Sequence, residues 1–183
     1  MVLNAKSKSL RSNAATQVYS HKFGFTTVYH MDKANNENIG NSLGEFASEF
    51  LVLENLTFDG ATVQLGSTTI FQNHVRKNDI QNQRSAPWRP NENPSEGSIW
   101  EVKRKWYQIQ EKKNIPDRLW DYGIKHVCET ANITVNISRY SDGRTFLEII
   151  TGETPDLSEN LDFGFYDWVM SCNNAVLGVP EVV

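Results

Sequence analysis

Between residues 94 and 135 apolar side chains recur every three or four positions in two separate runs, and this rhythm narrows what the chain can fold into more than any other feature. Ile99, Val102, Trp106 and Ile109 make the first run; Trp120, Ile124, Val127, Cys128, Ala131 and Val135 make the second. Spacing of this kind places each set on one helix face, so it predicts helices over residues 94–113 and 117–135, separated at Asn114-Ile115-Pro116. The first half of the chain keeps a different rhythm. Ala14 to Met31 is rich in Thr, Val, Tyr and Phe and breaks at His21-Lys22-Phe23-Gly24, which predicts two antiparallel strands joined by a tight turn. Asn35 to Phe50 carries Ile39, Leu43, Phe46 and Phe50 at helical intervals, a helix weakened by Gly40 and Gly44. Leu51 to Phe58 reads as a strand that presents Asp59 at its end, Thr68 to Lys77 as a helix and Ile80 to Arg84 as a further short strand. Strand, strand, helix, strand, helix, strand and then helices is an α/β order.

The 183 residues suffice for one domain with a buried core. Within it, residues 1–137 read as the main body and residues 138–183 as a closing segment with an acidic extension. Five Trp, nine Phe and six Tyr argue against wholesale disorder. Apolar runs are only a few residues long and the mean hydropathy is -0.50, so no membrane-spanning helix is expected. Residues 1–11 carry Lys6, Lys8 and Arg11 without an apolar stretch, unlike a secretory signal, so an intracellular location, cytoplasmic or nuclear, is expected. Cys128 and Cys172 have no cysteine or histidine at ligand spacing and read as reduced thiols. The net charge of -4 conceals two basic blocks, at residues 1–22 and 84–116, and an acidic end.

Two carboxylates attract attention. Asp59 falls at a predicted strand end and Glu96 in the first turn of a predicted helix, an arrangement that brings two oxygen donors together for a divalent metal. Each also has an ordinary structural explanation. Asp59-Gly60 suits a turn, and Asn93-Pro94-Ser95-Glu96 is a capping box. Lys103 follows Glu96 by two helical turns, on the same face, with Arg104 and Lys105 beside it, which suits a polyanion running along the helix or simply a solvated face. Trp100, Trp106 and Trp120 read as packing residues; Trp88, in the proline-rich loop 85–95, is the exception that could stack on a base.

Three stretches together carry a resemblance: Leu56-Thr57-Phe58-Asp59-Gly60, the loop from Ala86 to Glu96, and Glu101-Val102-Lys103-Arg104-Lys105-Trp106-Tyr107. They resemble the integrase catalytic core of copia-type retrotransposons, and the run Gly143 to Asp156 is similar to the segment that closes that core. The resemblance extends from about Lys6 to Trp168. It implies a ribonuclease H-like mixed sheet flanked by helices and an Asp, Asp, Glu triad that holds Mg²⁺ or Mn²⁺. Carried over by motif, Asp59 matches the second aspartate and Glu96 the glutamate, so the two should lie near one another at one end of the sheet. Lys103, Arg104 and Lys105 would bind DNA, and a homo-oligomer is the expected assembly.

The sequence departs from that pattern in two places. The family's first aspartate lies on the central first strand, just ahead of the region that Met1 to Lys8 resembles. No acid occurs here before Asp32, which does not match the motif. The first strand is therefore expected to be largely missing and the triad incomplete, as in a truncated or degenerate polyprotein fragment. Phe146 stands where the closing segment usually has proline. The expectation is an integrase core impaired in phosphoryl transfer; the alternative is a noncatalytic nucleic-acid-binding or self-associating remnant.

Overall fold

A computed structural model describes residues 2–21, 24–49, 54–58, 69–84, 94–135, 142–158, 164–167, 170–171 and 181–182. Val2–Asn4 (β1), Ala15–Ser20 (β2) and Thr26–Met31 (β3) form an antiparallel sheet in the order β1-β2-β3. The expected hairpin is β2 and β3, in register from Ala15 opposite Met31 to Ser20 opposite Thr26. Its turn is closed by the His21 amide donating to the Phe25 carbonyl at 2.8 Å, and Gly24 takes a φ of 101° there, a conformation natural only to glycine. The first strand is present as a stub. Its three residues pair with β2, Val2 opposite Gln17 and Asn4 opposite Ala15.

The middle strand β2 is buried on both faces, because alternate side chains enter two different cores. On one side Val18 and Val28 pack with Ile99, Val102, Trp106, Trp120, Ile124 and Val127. On the other, Ala15, Tyr19 and Met31 pack with Ile39, Leu43, Phe46, Phe71 and Val75. The result is a sheet between two layers of helices.

Asn36–Glu49 (α1) lies in the second layer against Ile70–Lys77 (α2), whose N-cap Thr69 accepts from the Gln72 amide at 3.2 Å. Gly40 and Gly44, which weaken α1 in isolation, are what let α2 approach. A Cβ on Gly40 would lie 2.5 Å from Cγ2 of Ile70, and one on Gly44 would lie 2.7 Å from the His74 ring. Asn55–Phe58 (β4) and Gln81–Arg84 (β5) pair in parallel, with α2 in the connection between them. Among the described residues no ladder joins this parallel pair to the antiparallel sheet, so the expected mixed sheet is present as separate antiparallel and parallel pieces.

The first layer is built from Pro94–Lys113 (α3) and Trp120–Ile133 (α4), with a 3₁₀ turn at Asp117–Leu119 between them. The predicted second helix thus begins with a tighter turn after Pro116. Asn132 ties the end of α4 to β3: its Oδ1 accepts from the Thr26 amide at 3.0 Å and its Nδ2 donates to the Thr26 carbonyl at 2.8 Å. Phe146–Thr151 (α5) follows, and Met170–Ser171 (β6) pairs with Glu181–Val182 (β7). Phe146, the residue in place of proline, is the first residue of α5 and is buried. Among the described residues no helix is long and apolar enough to cross a membrane.

The start of α5 rests on a reciprocal cap. Thr145 accepts from the Glu148 amide at 3.1 Å while Glu148 accepts from the Thr145 amide at 2.8 Å. Thr145→Ala should remove about 1 kcal/mol of stability. Urea unfolding of the variant and the parent checks this, and an unchanged midpoint would count against the cap.

Candidate nucleic-acid interface

The site is organised by α3. Proline suits the first position of this helix, since its missing amide hydrogen would have no partner there. Glu96 follows in the first turn and is half-buried. Asp59 and the Asn93 of the expected capping box lie outside the described residues, as does Trp88. Asp32 is exposed, just past the end of β3, and its carboxylate accepts from Asn38 Nδ2 at 2.8 Å. It thus serves the approach to α1, two strands away from β1. Among the described residues no group of three or more His, Cys, Asp or Glu side chains could hold a metal ion. Glu96 alone is too few ligands for Mg²⁺ or Mn²⁺.

The three cations of α3 divide into two kinds. Arg104 clamps Glu101 with two hydrogen bonds, Nε to Oε2 at 3.0 Å and Nη2 to Oε1 at 2.7 Å, and Lys105 approaches the same carboxylate at 3.7 Å. The bidentate Arg104 contact holds the Glu101 carboxyl below its ordinary pKa, and Lys105 adds to the effect. Lys103 is exposed and lies about 20° round the helix from Glu96 and about 10 Å along it. Among the described residues no salt bridge engages Lys103.

Lys103 also borders a cleft of about 280 Å³ with Tyr107 and Gln110 on the same helix and Asn4, Lys6 and Ser7 on the facing segment. That segment is held in place by the backbone. Ala5 donates to the Ala14 carbonyl at 2.8 Å, Leu10 to the Arg118 carbonyl at 2.7 Å, and Trp120 Nε1 to the Ser7 carbonyl at 3.2 Å. Two lysines distant in sequence therefore flank one opening. A larger opening of about 510 Å³ lies between α3 and α4 near Lys105, Lys112 and His126. The His126 ring stacks on Phe165 with centroids 4.8 Å apart, and burial lowers its pKa. Cys128 is a free, buried thiol pushed up to about 12 by desolvation, which removes it as a nucleophile.

The expectation that all three helical tryptophans pack inside is corrected. Trp106 and Trp120 are core residues, but Trp100 is 66% exposed. A helical projection carries the reason: Trp100 lies about 140° from the centre of the Ile99, Val102, Trp106 and Ile109 stripe, on the side of Glu96 and Lys103. The Lys6 wall of the cleft had no comparable signal, since only the folded chain brings residue 6 to residue 103.

No family model and no curated protein sequence matches the chain. Solved structures do match. A chain of the simian T-cell lymphotropic virus intasome in complex with the PP2A regulatory subunit B56 gamma aligns over 100% of this chain, at 14% identity and a TM-score of 0.62. The chain spans 65% of that protein's length. The HTLV-2 integrase catalytic core, solved with magnesium in a dimeric form, aligns over 82% of this chain and 90% of its own, at 15% identity and a TM-score of 0.60. The BIV integrase catalytic core aligns over 83% and 91%, at 12% identity and a TM-score of 0.58. The fold is that of an integrase catalytic core, ribonuclease H-like, with small sheets flanked by helices.

Proposed function

We propose that this chain is an integrase core of copia-type descent that binds DNA along α3 and, as a polypeptide of this sequence, does not transfer strands. The observation that carries the proposal is the placement of Glu96 and Lys103 on one face of one helix, with Lys6 across the adjoining cleft, on an integrase-core fold. Phosphates of a nucleic-acid backbone meet Lys103 and Lys6 as point charges, and binding gains from the counterions they release. Arg104 and Lys105 contribute less while Glu101 holds them.

Asp59 and Glu96 are proposed as the pair that would hold Mg²⁺ or Mn²⁺. Such an ion would activate an attacking oxygen or stabilise a leaving one, and a pair of ions needs a bridging carboxylate besides these two. Residues 1–31 hold no acid that could take that role, so no chemical step follows from Asp59 and Glu96 alone. Self-association is the second part of the proposal, and the dimeric form of the HTLV-2 core supports it.

Binding of the purified chain to a labelled duplex, followed against salt, tests the reading. Affinity should fall steeply with salt, and Lys103→Ala should flatten the logarithmic slope by roughly one unit. Nicking should be absent in Mg²⁺ or Mn²⁺, and Asp59→Asn should leave that result unchanged. Strand transfer abolished by Asp59→Asn would overturn the catalytic part; salt-independent binding would overturn the DNA part.

A further inference from the structure

Trp100 and Tyr107 stand in water on the same side of α3, 66% and 56% exposed. Seven residues apart, they sit one above the other about 10 Å along the helix axis. Lys103 lies between them, and Glu96 begins the same face one turn before Trp100. The Arg104 guanidinium lies 5.8 Å from the Trp100 ring centre while bound to Glu101, so it braces the ring with its charge already matched. Tyr107 also walls the cleft between Lys103 and Lys6. The acid in that cleft, Asp117, is engaged by Gln110 Nε2 at 2.7 Å. Glu111, exposed one turn beyond Tyr107, closes the track with a negative charge.

We propose, resting on the nucleic-acid reading above, that this face of α3 takes a single strand, with bases stacked on Trp100 and Tyr107 and a backbone phosphate between Lys103 and Lys6. Stacking needs a base whose flat face is free, which an unpaired strand offers and an intact duplex hides. The roughly 10 Å of helix axis that separates the two residues corresponds to about three nucleotides of a stacked strand at 3.4 Å each. Every base has such a face, so the track reads strandedness and not sequence. An exposed tryptophan with nothing to stack on would only leave apolar surface in water.

The test uses the full chain and three labelled probes: an oligothymidylate of about 12 nucleotides, an abasic strand of the same length, and the corresponding duplex. Fluorescence anisotropy should rank the oligothymidylate above both others. Trp100→Ala and Tyr107→Ala should each weaken its binding by roughly tenfold, Trp100→Phe should restore most of the loss, and the salt slope should stay unchanged. Lys103→Ala should instead lower the slope, by about 0.7. Equal binding of the abasic strand or the duplex, or indifference to Trp100→Ala, would overturn the inference while salt-dependent duplex binding left the reading beneath it intact. Failure of the parent chain to bind any of the three probes would overturn both.

Discussion

Trp106→Ala should cost about 3–5 kcal/mol of stability, the largest loss expected from a single side chain. Against a total of roughly 5–15 kcal/mol, that brings the protein close to its unfolding threshold. Trp106 is 3% exposed and belongs to the core shared by β2, β3, α3 and α4. Its ring lies over Gly123 of α4, where a Cβ would come within 1.9 Å of Cζ3. Tryptophan and glycine are therefore complementary, and a cycle of variants can separate their joint effect from their separate ones. Gly123→Ala alone should destabilise by about 1–3 kcal/mol, because α3 and α4 must part to admit the methyl group. In the Trp106→Ala background the same change has room. It should then be neutral or stabilising by up to about 1 kcal/mol, the helix-propensity gain of alanine over glycine. Urea unfolding of the four proteins measures the coupling. Equal penalties for Gly123→Ala in both backgrounds would contradict the packing.

The parts of this fold legible in the sequence are those whose cause is local. The stripe of Ile99, Val102, Trp106 and Ile109 defined α3 over Pro94–Lys113, and the Thr and Val content of Ala15–Met31 defined the hairpin. The same projection places Trp100 opposite the stripe, so its exposure was readable; its size made burial the simpler expectation. Glu101, three and four residues before Arg104 and Lys105, was likewise readable as their partner. Other features depend on contacts between distant residues. Gly40 and Gly44 look like helix defects until α2 lies against them, and Gly123 looks like a weak point until Trp106 covers it. The stub β1 takes its register from Gln17, Thr16 and Ala15, and no periodicity exists in three residues. The Lys6 wall is set by hydrogen bonds from Trp120 to Ser7 and from Leu10 to Arg118, more than a hundred residues apart in sequence.

Stability should also fall by about 2 kcal/mol between pH 7 and pH 5, owing to His30. The ring sits largely buried on β3, edge-on to Trp120 with centroids 5.6 Å apart. Its Nδ1 is hydrogen-bonded to Thr16 Oγ1, and the Thr16 hydroxyl donates to the Tyr29 carbonyl at 3.2 Å. With that single proton committed, Nδ1–H is the donor to Thr16 and Nε2 carries the lone pair, buried without a partner. A proton added at Nε2 would put a charge where burial keeps water away, a cost that the carboxylate and backbone of Asp121 offset only in part. Desolvation accordingly lowers the His30 pKa to about 4, with Lys125 and Arg11 acting in the same direction and Asp121 opposing them. Asp121 is itself buried and accepts from Asn13 Nδ2 at 2.9 Å. The folded chain thus binds the proton more weakly than the unfolded chain, whose histidine titrates near 6.5. Stability is complete above that value and is lost as pH falls towards 4, where the folded ring finally charges. The partly buried His126, also lowered, adds a smaller share. His30→Gln should remove most of the slope between pH 7 and 5, a window above the ordinary carboxylate range. Urea midpoints at the two pH values give the measurement, and a variant losing as much stability as the parent would place the acid sensitivity elsewhere in the chain.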